Sequence, residues 1–311
     1  MATTLKGQDI LRADQFTPAE IELIMETASR FERVIRDGGR LTNMAGKVLA
    51  TLFYEPSTRT RLSFETAMLQ LGGQVISVAE ARTSSSAAKG ETLFDTGKMI
   101  EAYAHVAVIR HPVVGSAQEL ADGASVPVIN GGDGAGQHPT QALLDLYTIR
   151  KEKGRVEGLT VALVGDLKYG RTVHSLSTLL ATQGVRFYFV APQELAMPAE
   201  ITAQLRARGV EIIETDDLAE AAAHSDVLYV TRIQKERFAD PAEYERLKGS
   251  YVVDMALVKA AKPGITIMHP LPRVNEIATE VDAYPGAAYF RQAANGVPVR
   301  MALIALVTGQ E

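Results

Sequence analysis

Apolar residues recur along the chain with two alternating periods. Ile21, Ile24, Ala28, Phe31 and Ile35 follow helical spacing. Thr17-Pro18-Ala19-Glu20 in front of them supplies a capping box with proline at the first helical position, and Asp37-Gly38-Gly39 ends the helix. Short runs rich in β-branched residues then alternate with helical stretches. Residues 48–54, 75–78, 106–109 and 126–129 predict strands in the first half of the chain; residues 160–164, 185–190, 210–213, 226–230 and 265–268 predict them in the second, with helices such as Ala199–Ala207 between. Wholly apolar strands separated by helices imply parallel sheets covered on both faces, and so an α/β fold of two doubly wound parallel-sheet domains.

A helix over 139–152 runs into Lys153-Gly154-Arg155, and a fresh strand begins near Leu159. This places one domain at 1–153 and a second at 154–288. The closing segment 289–311, helical over 291–308, is apolar enough to return and pack on the first domain. Residues 79–90 contain Arg82-Thr83-Ser84-Ser85-Ser86 and read as a mobile loop.

The 311 residues carry 32 Lys and Arg against 37 Asp and Glu, a formal charge of −5, with 46% hydrophobic residues and neither Cys nor Trp. The longest apolar run, 301–307, is far short of the roughly 20 residues that cross a bilayer, and no apolar leader opens the chain, so a cytoplasmic protein without membrane contact is expected. Lack of cysteine excludes thiolate metal sites, thiol nucleophiles and disulfides. The acidic balance argues against nucleic acid as a partner.

Ligands of parallel sheets bind beyond the carboxyl ends of the strands, so the residues just after each apolar run carry the chemistry. Those residues are Glu55-Pro56-Ser57-Thr58-Arg59-Thr60-Arg61, Arg110-His111-Pro112, the glycine-rich stretch ending in His138-Pro139-Thr140-Gln141, Asp166-Leu167-Lys168-Tyr169-Gly170-Arg171, Thr231-Arg232-Ile233-Gln234 and His269-Pro270-Leu271-Pro272-Arg273. The strand ends thus aim arginines and hydrogen-bonding groups at one crevice. Ser57 to Thr60 fits a plain helix cap and equally a phosphate cradle; the arginine among the hydroxyls favours the anion. No P-loop, G-x-S-x-G or H-E-x-x-H motif occurs, no metal or cofactor site is expected, and Asp166 to Tyr169 put bulk where a dinucleotide fingerprint needs glycines.

Taken together, in this order and over nearly the whole chain, these motifs resemble those of the aspartate carbamoyltransferase catalytic chain, within the aspartate/ornithine carbamoyltransferase superfamily. The resemblance implies a carbamoyl-phosphate domain followed by an aspartate domain, and transfer of the carbamoyl group to the amino group of L-aspartate, the committed step of de novo pyrimidine biosynthesis. Carried over by motif position, Ser57, Thr58, Arg59 and Thr60 hold the phosphate. Thr60, Arg110 and His138 meet the carbonyl oxygen, and Gln141 with the carbonyls of Leu271 and Pro272 takes the carbamoyl nitrogen. Arg171, Arg232 and Gln234, with Lys89 and Leu271, bind aspartate. Catalysis would fall to Arg59, Thr60, Arg110 and His138.

The resemblance further implies a homotrimer in which Ser85 and Lys89 reach a neighbouring subunit's site. It implies interdomain closure through Glu55, Lys168, Tyr169, Glu236, Arg237 and Glu243, and admits a separate regulatory chain or dihydroorotase as partner. An extra residue near Ala239 departs from the family pattern. The ornithine enzymes carry His-Cys-Leu-Pro where this chain has His269-Pro270-Leu271-Pro272, and ornithine's ammonium would be repelled by Arg232.

Overall fold

The computed structural model of the chain describes residues 3–233 and 241–311. The nine apolar runs form strands β1 (Val48–Phe53), β2 (Gln74–Ala79), β3 (Val106–His111), β4 (Val128–Asp133), β5 (Thr160–Val164), β6 (Arg186–Val190), β7 (Ile212–Thr215), β8 (Val227–Val230) and β9 (Thr266–Met268). Among the described residues they build two sheets, ordered β2-β1-β3-β4 and β7-β6-β5-β8-β9. All pairings between these strands are parallel. The chain divides into two compact units, Met1–Leu144 with Asn295–Glu311, and Asp145–Ala294.

In the first unit β1, β3 and β4 are buried along almost their whole length. Leu52, Ile109 and Val128 pack against Leu93, Ile100 and Leu120 of the covering helices, and each such side chain contributes about 1.5–3 kcal/mol by leaving water. The N-terminal segment closes the β4 edge. Ile10 donates to the Val128 carbonyl and accepts from the Asn130 amide, both at 2.8 Å. The helix Pro18–Arg36 begins with the expected capping box on Thr17 and Glu20. The helix Tyr289–Thr308 buries Val299, Leu303, Ile304 and Val307 completely or nearly so. Its end is tied to the beginning of the same unit by the Gly7 amide on the Val307 carbonyl (2.8 Å) and by Asn43 Nδ2 on the Gln310 carbonyl (2.7 Å).

The second unit stacks Val164, Val190, Val230 and Ile267 against Tyr251, Val253 and Tyr289. Three local expectations are corrected. The strand expected at 126–129 starts later and continues through Asn130-Gly131-Gly132-Asp133. Its polar residues satisfy one another there, Asn130 Nδ2 donating to Asp133 Oδ1 and the Gly132 amide to Asn130 Oδ1. β2 is not covered on both faces: it is an edge strand with four of its six residues exposed and none fully buried. Within the expected loop at 79–90, Ala81–Ser84 and Ser86–Lys89 form single helical turns. Hydroxyls close them, Ser84 Oγ donating to the Ala79 carbonyl and Ser85 Oγ accepting from the Ala87 amide.

Candidate active site

Sheet order decides where a ligand can enter. In the first unit the chain leaves β1 for β2 on one side and then crosses to β3 on the other, so the switch point lies between the carboxyl ends of β1 and β3. The residues that follow these two strands are Tyr54 to Arg61 and Pro112 onward, with Arg110 and His111 closing β3 itself. Ser57 is the N-cap of the helix Thr58–Gln70, and its hydroxyl caps none of that helix's amides. Thr58 and Arg59 are exposed and Thr60 is buried. Desolvation lowers the pKa of the Arg59 guanidinium, which stays a cation at any physiological pH.

Arg110 pairs with Glu55 (Nε to Oε2, 3.3 Å) and donates from Nη1 to the Gly131 carbonyl at 3.2 Å. Gly131 also lies against Thr60: a Cβ built there would be 3.5 Å from Thr60 Cγ2 and 3.2 Å from the Ile109 carbonyl. Glu55, Thr60, Arg110 and the end of β4 therefore occupy one neighbourhood. His138 is reached from the same strand end. It is buried, precedes the helix Pro139–Lys153, and its carbonyl accepts the Gln141 amide at 3.0 Å.

Asp133 organises the turn that delivers His138. One carboxylate oxygen accepts from the Gln137 amide (2.6 Å) and Asn130 Nδ2, and the other from the Gly115 amide (2.9 Å). Sequence reasoning missed Asp133 and Asn130, although an acid inside a Gly-Gly-Asp-Gly stretch is a recognisable anchor for loop amides. Ser85 is half-buried, its hydroxyl donating to the Ala81 carbonyl at 2.5 Å, and Lys89 is exposed at the end of its turn.

In the second unit the chain runs from β5 outward to β7, then returns to β8, so the switch point lies between β5 and β8. Arg171 and Arg232 follow those two strands, and both are half-buried. Thr231 ties the strand ends together. Its hydroxyl donates to the Val164 carbonyl (2.9 Å) and accepts from the Asp166 amide (3.1 Å). Gly165 has φ +108°, and a Cβ there would stand 2.5 Å from the Thr231 carbonyl. Asp166 Oδ1 accepts the Tyr169 amide, Lys168 Nζ sits 5.0 Å from the Tyr169 ring centre, and Arg171 opens the helix Arg171–Leu180. His174 on that helix donates from Nε2 to the Leu167 carbonyl at 2.6 Å, and burial pushes its pKa down.

Leu271 and Pro272 follow β9, next to β8 in the sheet. They are joined by a cis peptide bond, and Leu271 has φ +56°. The His269 imidazole beneath is buried, accepting the Leu271 amide at Nδ1 (2.7 Å) and meeting Glu276 at Nε2 (2.7 Å). Gln234, Glu236, Arg237 and Ala239 lie outside the described residues, and Glu243 falls in the helix Pro241–Leu247. Among the described residues, no three His, Asp or Glu side chains converge as metal ligands would, and no helix is long and apolar enough to cross a membrane.

Comparison with known proteins also finds two domains, with the terminal helix, which the structure puts in the first unit, counted in the second. The aspartate/ornithine carbamoyltransferase carbamoyl-P binding domain matches residues 8–151, and the Asp/Orn binding domain of that family matches residues 157–307. The chain belongs to the aspartate/ornithine carbamoyltransferase family. Within it, the aspartate carbamoyltransferase catalytic subunit of Thermococcus kodakarensis is 54% identical over 304 residues, covering 98% of each chain. Among carbamoyltransferases of known structure, aspartate transcarbamoylase from Trypanosoma cruzi, in complex with carbamoyl phosphate and aspartate, superposes with a TM-score of 0.92 at 44% identity over 97% of each chain. The catalytic subunit of M. jannaschii aspartate transcarbamoylase gives 0.89 at 50% identity, covering 96% of this chain and 97% of its own. This chain is thus an aspartate-type member of the family across its length.

Proposed function

We infer that the protein transfers the carbamoyl group of carbamoyl phosphate to the amino group of L-aspartate, giving N-carbamoyl-L-aspartate and phosphate. The observation that carries this is the 54% identity to an aspartate carbamoyltransferase catalytic subunit over 98% of both chains. Arginines at both sheet switch points agree with it, since one substrate is an acyl phosphate and the other a dicarboxylate.

The carbamoyl-phosphate half is assigned to the first unit. Ser57, Thr58, Arg59 and Thr60 at the helix start take the phosphate, offering hydroxyl, amide and guanidinium donors to a dianion. Thr60, Arg110 and His138 meet the carbonyl oxygen, and Gln141 with the Leu271 and Pro272 carbonyls takes the carbamoyl amino group. Arg171 and Arg232, with Gln234, clamp the two carboxylates of aspartate. Ornithine's side-chain ammonium would find a cation there instead.

The chemistry follows from that placement. The deprotonated α-amine of aspartate attacks the carbamoyl carbon and forms the new C–N bond. Charge moves onto the carbonyl oxygen, where the three donors stabilise it. As the tetrahedral species collapses, the C–O bond to phosphate breaks, and the departing phosphate accepts the remaining amine proton. The acyl group arrives activated, so positioning and oxyanion stabilisation supply the rate.

The working assembly is a cytoplasmic homotrimer, with Ser85 and Lys89 of each subunit completing a neighbour's site. The exposed position of Lys89 leaves it able to do so. The test is phosphate release from carbamoyl phosphate by purified protein with L-aspartate or L-ornithine, and identification of the product. Turnover with aspartate alone is expected; turnover with ornithine would refute the assignment around Arg232.

A further inference from the structure

Among the described residues of the second unit, Leu271 is the one non-glycine with positive φ, a conformation that persists only where its surroundings impose it. A chain of buried polar groups does so. An amide can only donate, so the 2.7 Å contact from the Leu271 N–H assigns Nδ1 of His269 as an acceptor. The ring proton then sits on Nε2 and is donated to Glu276 Oε1 at 2.7 Å. The other Glu276 oxygen accepts the amides of Val274 and Asn275, both at 3.0 Å.

The same histidine is anchored from behind. Its main-chain amide donates to Gln292 Oε1 (2.8 Å), Gln292 Nε2 donates to Asp145 Oδ1 (2.6 Å), and Asp145 Oδ2 accepts the hydroxyl of Tyr229 on β8 (2.8 Å). His269, Gln292, Asp145 and Tyr229 are each no more than 1% exposed. A side chain so enclosed is poorly placed to contact a ligand, yet it fixes the peptide of a residue that is half-exposed.

We propose that His269, held in one tautomer by Glu276 and anchored by Gln292, is a positioning residue that gives the enzyme its selection for the carbamoyl group. It sets the Leu271 peptide so that the Leu271 and Pro272 carbonyls accept from the amino group of carbamoyl phosphate. The inference rests on the assignment of those carbonyls under Proposed function. Selection is the right property to examine, because an acyl phosphate with a methyl in place of the amino group offers the carbonyls nothing to accept.

The experiment compares Kd for carbamoyl phosphate and for acetyl phosphate, by titration calorimetry on the intact enzyme, in the wild type and in His269→Gln and His269→Asn. Glutamine keeps a donor toward Glu276 and loses the Nδ1 acceptor; asparagine keeps an acceptor near Nδ1. The wild type should prefer carbamoyl phosphate. His269→Gln should shrink that preference about tenfold, the worth of one hydrogen bond to the ligand, while His269→Asn retains most of it.

An equal weakening of both ligands in His269→Gln would be a general structural effect and would overturn the proposal, as would an unchanged preference or a loss of preference in His269→Asn. A wild type without preference would instead remove the carbonyl assignment itself, which separates the two failures. If His269→Gln does not fold, Gln292→Leu removes the acceptor behind the His269 amide and reads the same ratio. A several-fold fall supports the proposal, and no change overturns it.

Discussion

Replacing His138 by alanine should lower kcat about a hundredfold, the usual cost of one donor to a developing oxyanion, with little change in thermal stability; steady-state kinetics at saturating aspartate would show it. An unchanged kcat would remove His138 from that role. Glu276 carries a second expectation at this scale. Burial alone would raise its pKa, but hydrogen bonds from His269 and backbone amides outweigh it and bring it from 4.5 to about 2. The unfolded chain therefore takes up the proton first as pH falls. The stabilisation is complete above pH 4.5 and fades toward pH 2, amounting to about 3 kcal/mol at most. Urea midpoints at pH 6 and pH 3 should fall further for the wild type than for Glu276→Gln, and equal falls would contradict the assignment. Strand-end arginines and His138 could be picked out of the sequence because each follows an apolar run. The groups that organise the His138 turn and anchor His269 could not: Asp133 reaches back to Gly115, and Gln292 bonds Asp145 across 147 positions, separations that no local pattern encodes.

At the scale of elements, nine strands were legible because β-branched apolar runs bounded by glycine, proline and charge have few other uses. β2 was misjudged because its place at a sheet edge is not local information, while the other two errors share one cause, side chains bonding to nearby groups. Asn130 and Asp133 make a polar stretch behave as strand, and small hydroxyls wind 81–89 into turns. Glycines at the switch points give a sharper expectation. Gly165→Ala would force a side chain into left-handed backbone against the Thr231 carbonyl, costing about 3 kcal/mol or more and raising KM for aspartate by displacing Arg232. Gly158 also has positive φ, +75°, but open space around it, so Gly158→Ala should cost about 1 kcal/mol and leave KM alone. Thermal melts with aspartate titrations distinguish the two, and equal effects would mean the Thr231 contact is unimportant.

For the whole molecule, strand order was beyond the sequence, since it depends on which way each crossover turns. That order is also what turns a set of strand ends into two defined switch points. The proposed trimer is tested by mixing Lys89→Ala and His138→Ala chains under dissociating conditions and reassembling them. Each mutant alone should be nearly inactive, and hybrids should regain part of wild-type turnover because some sites then carry neither defect. Verified mixed trimers with no recovery would exclude sharing of Lys89. The placement of the terminal helix has a further consequence for biosynthesis. The first unit is completed by Asn295–Glu311, with the whole second unit, Asp145–Ala294, encoded in between. A ribosome adding about 5–20 residues per second thus emits the first sheet on the order of ten seconds before the helix that buries Leu303 and Ile304. The nascent first unit must spend that interval with an open apolar face, which makes it a natural client for chaperones that guard emerging chains.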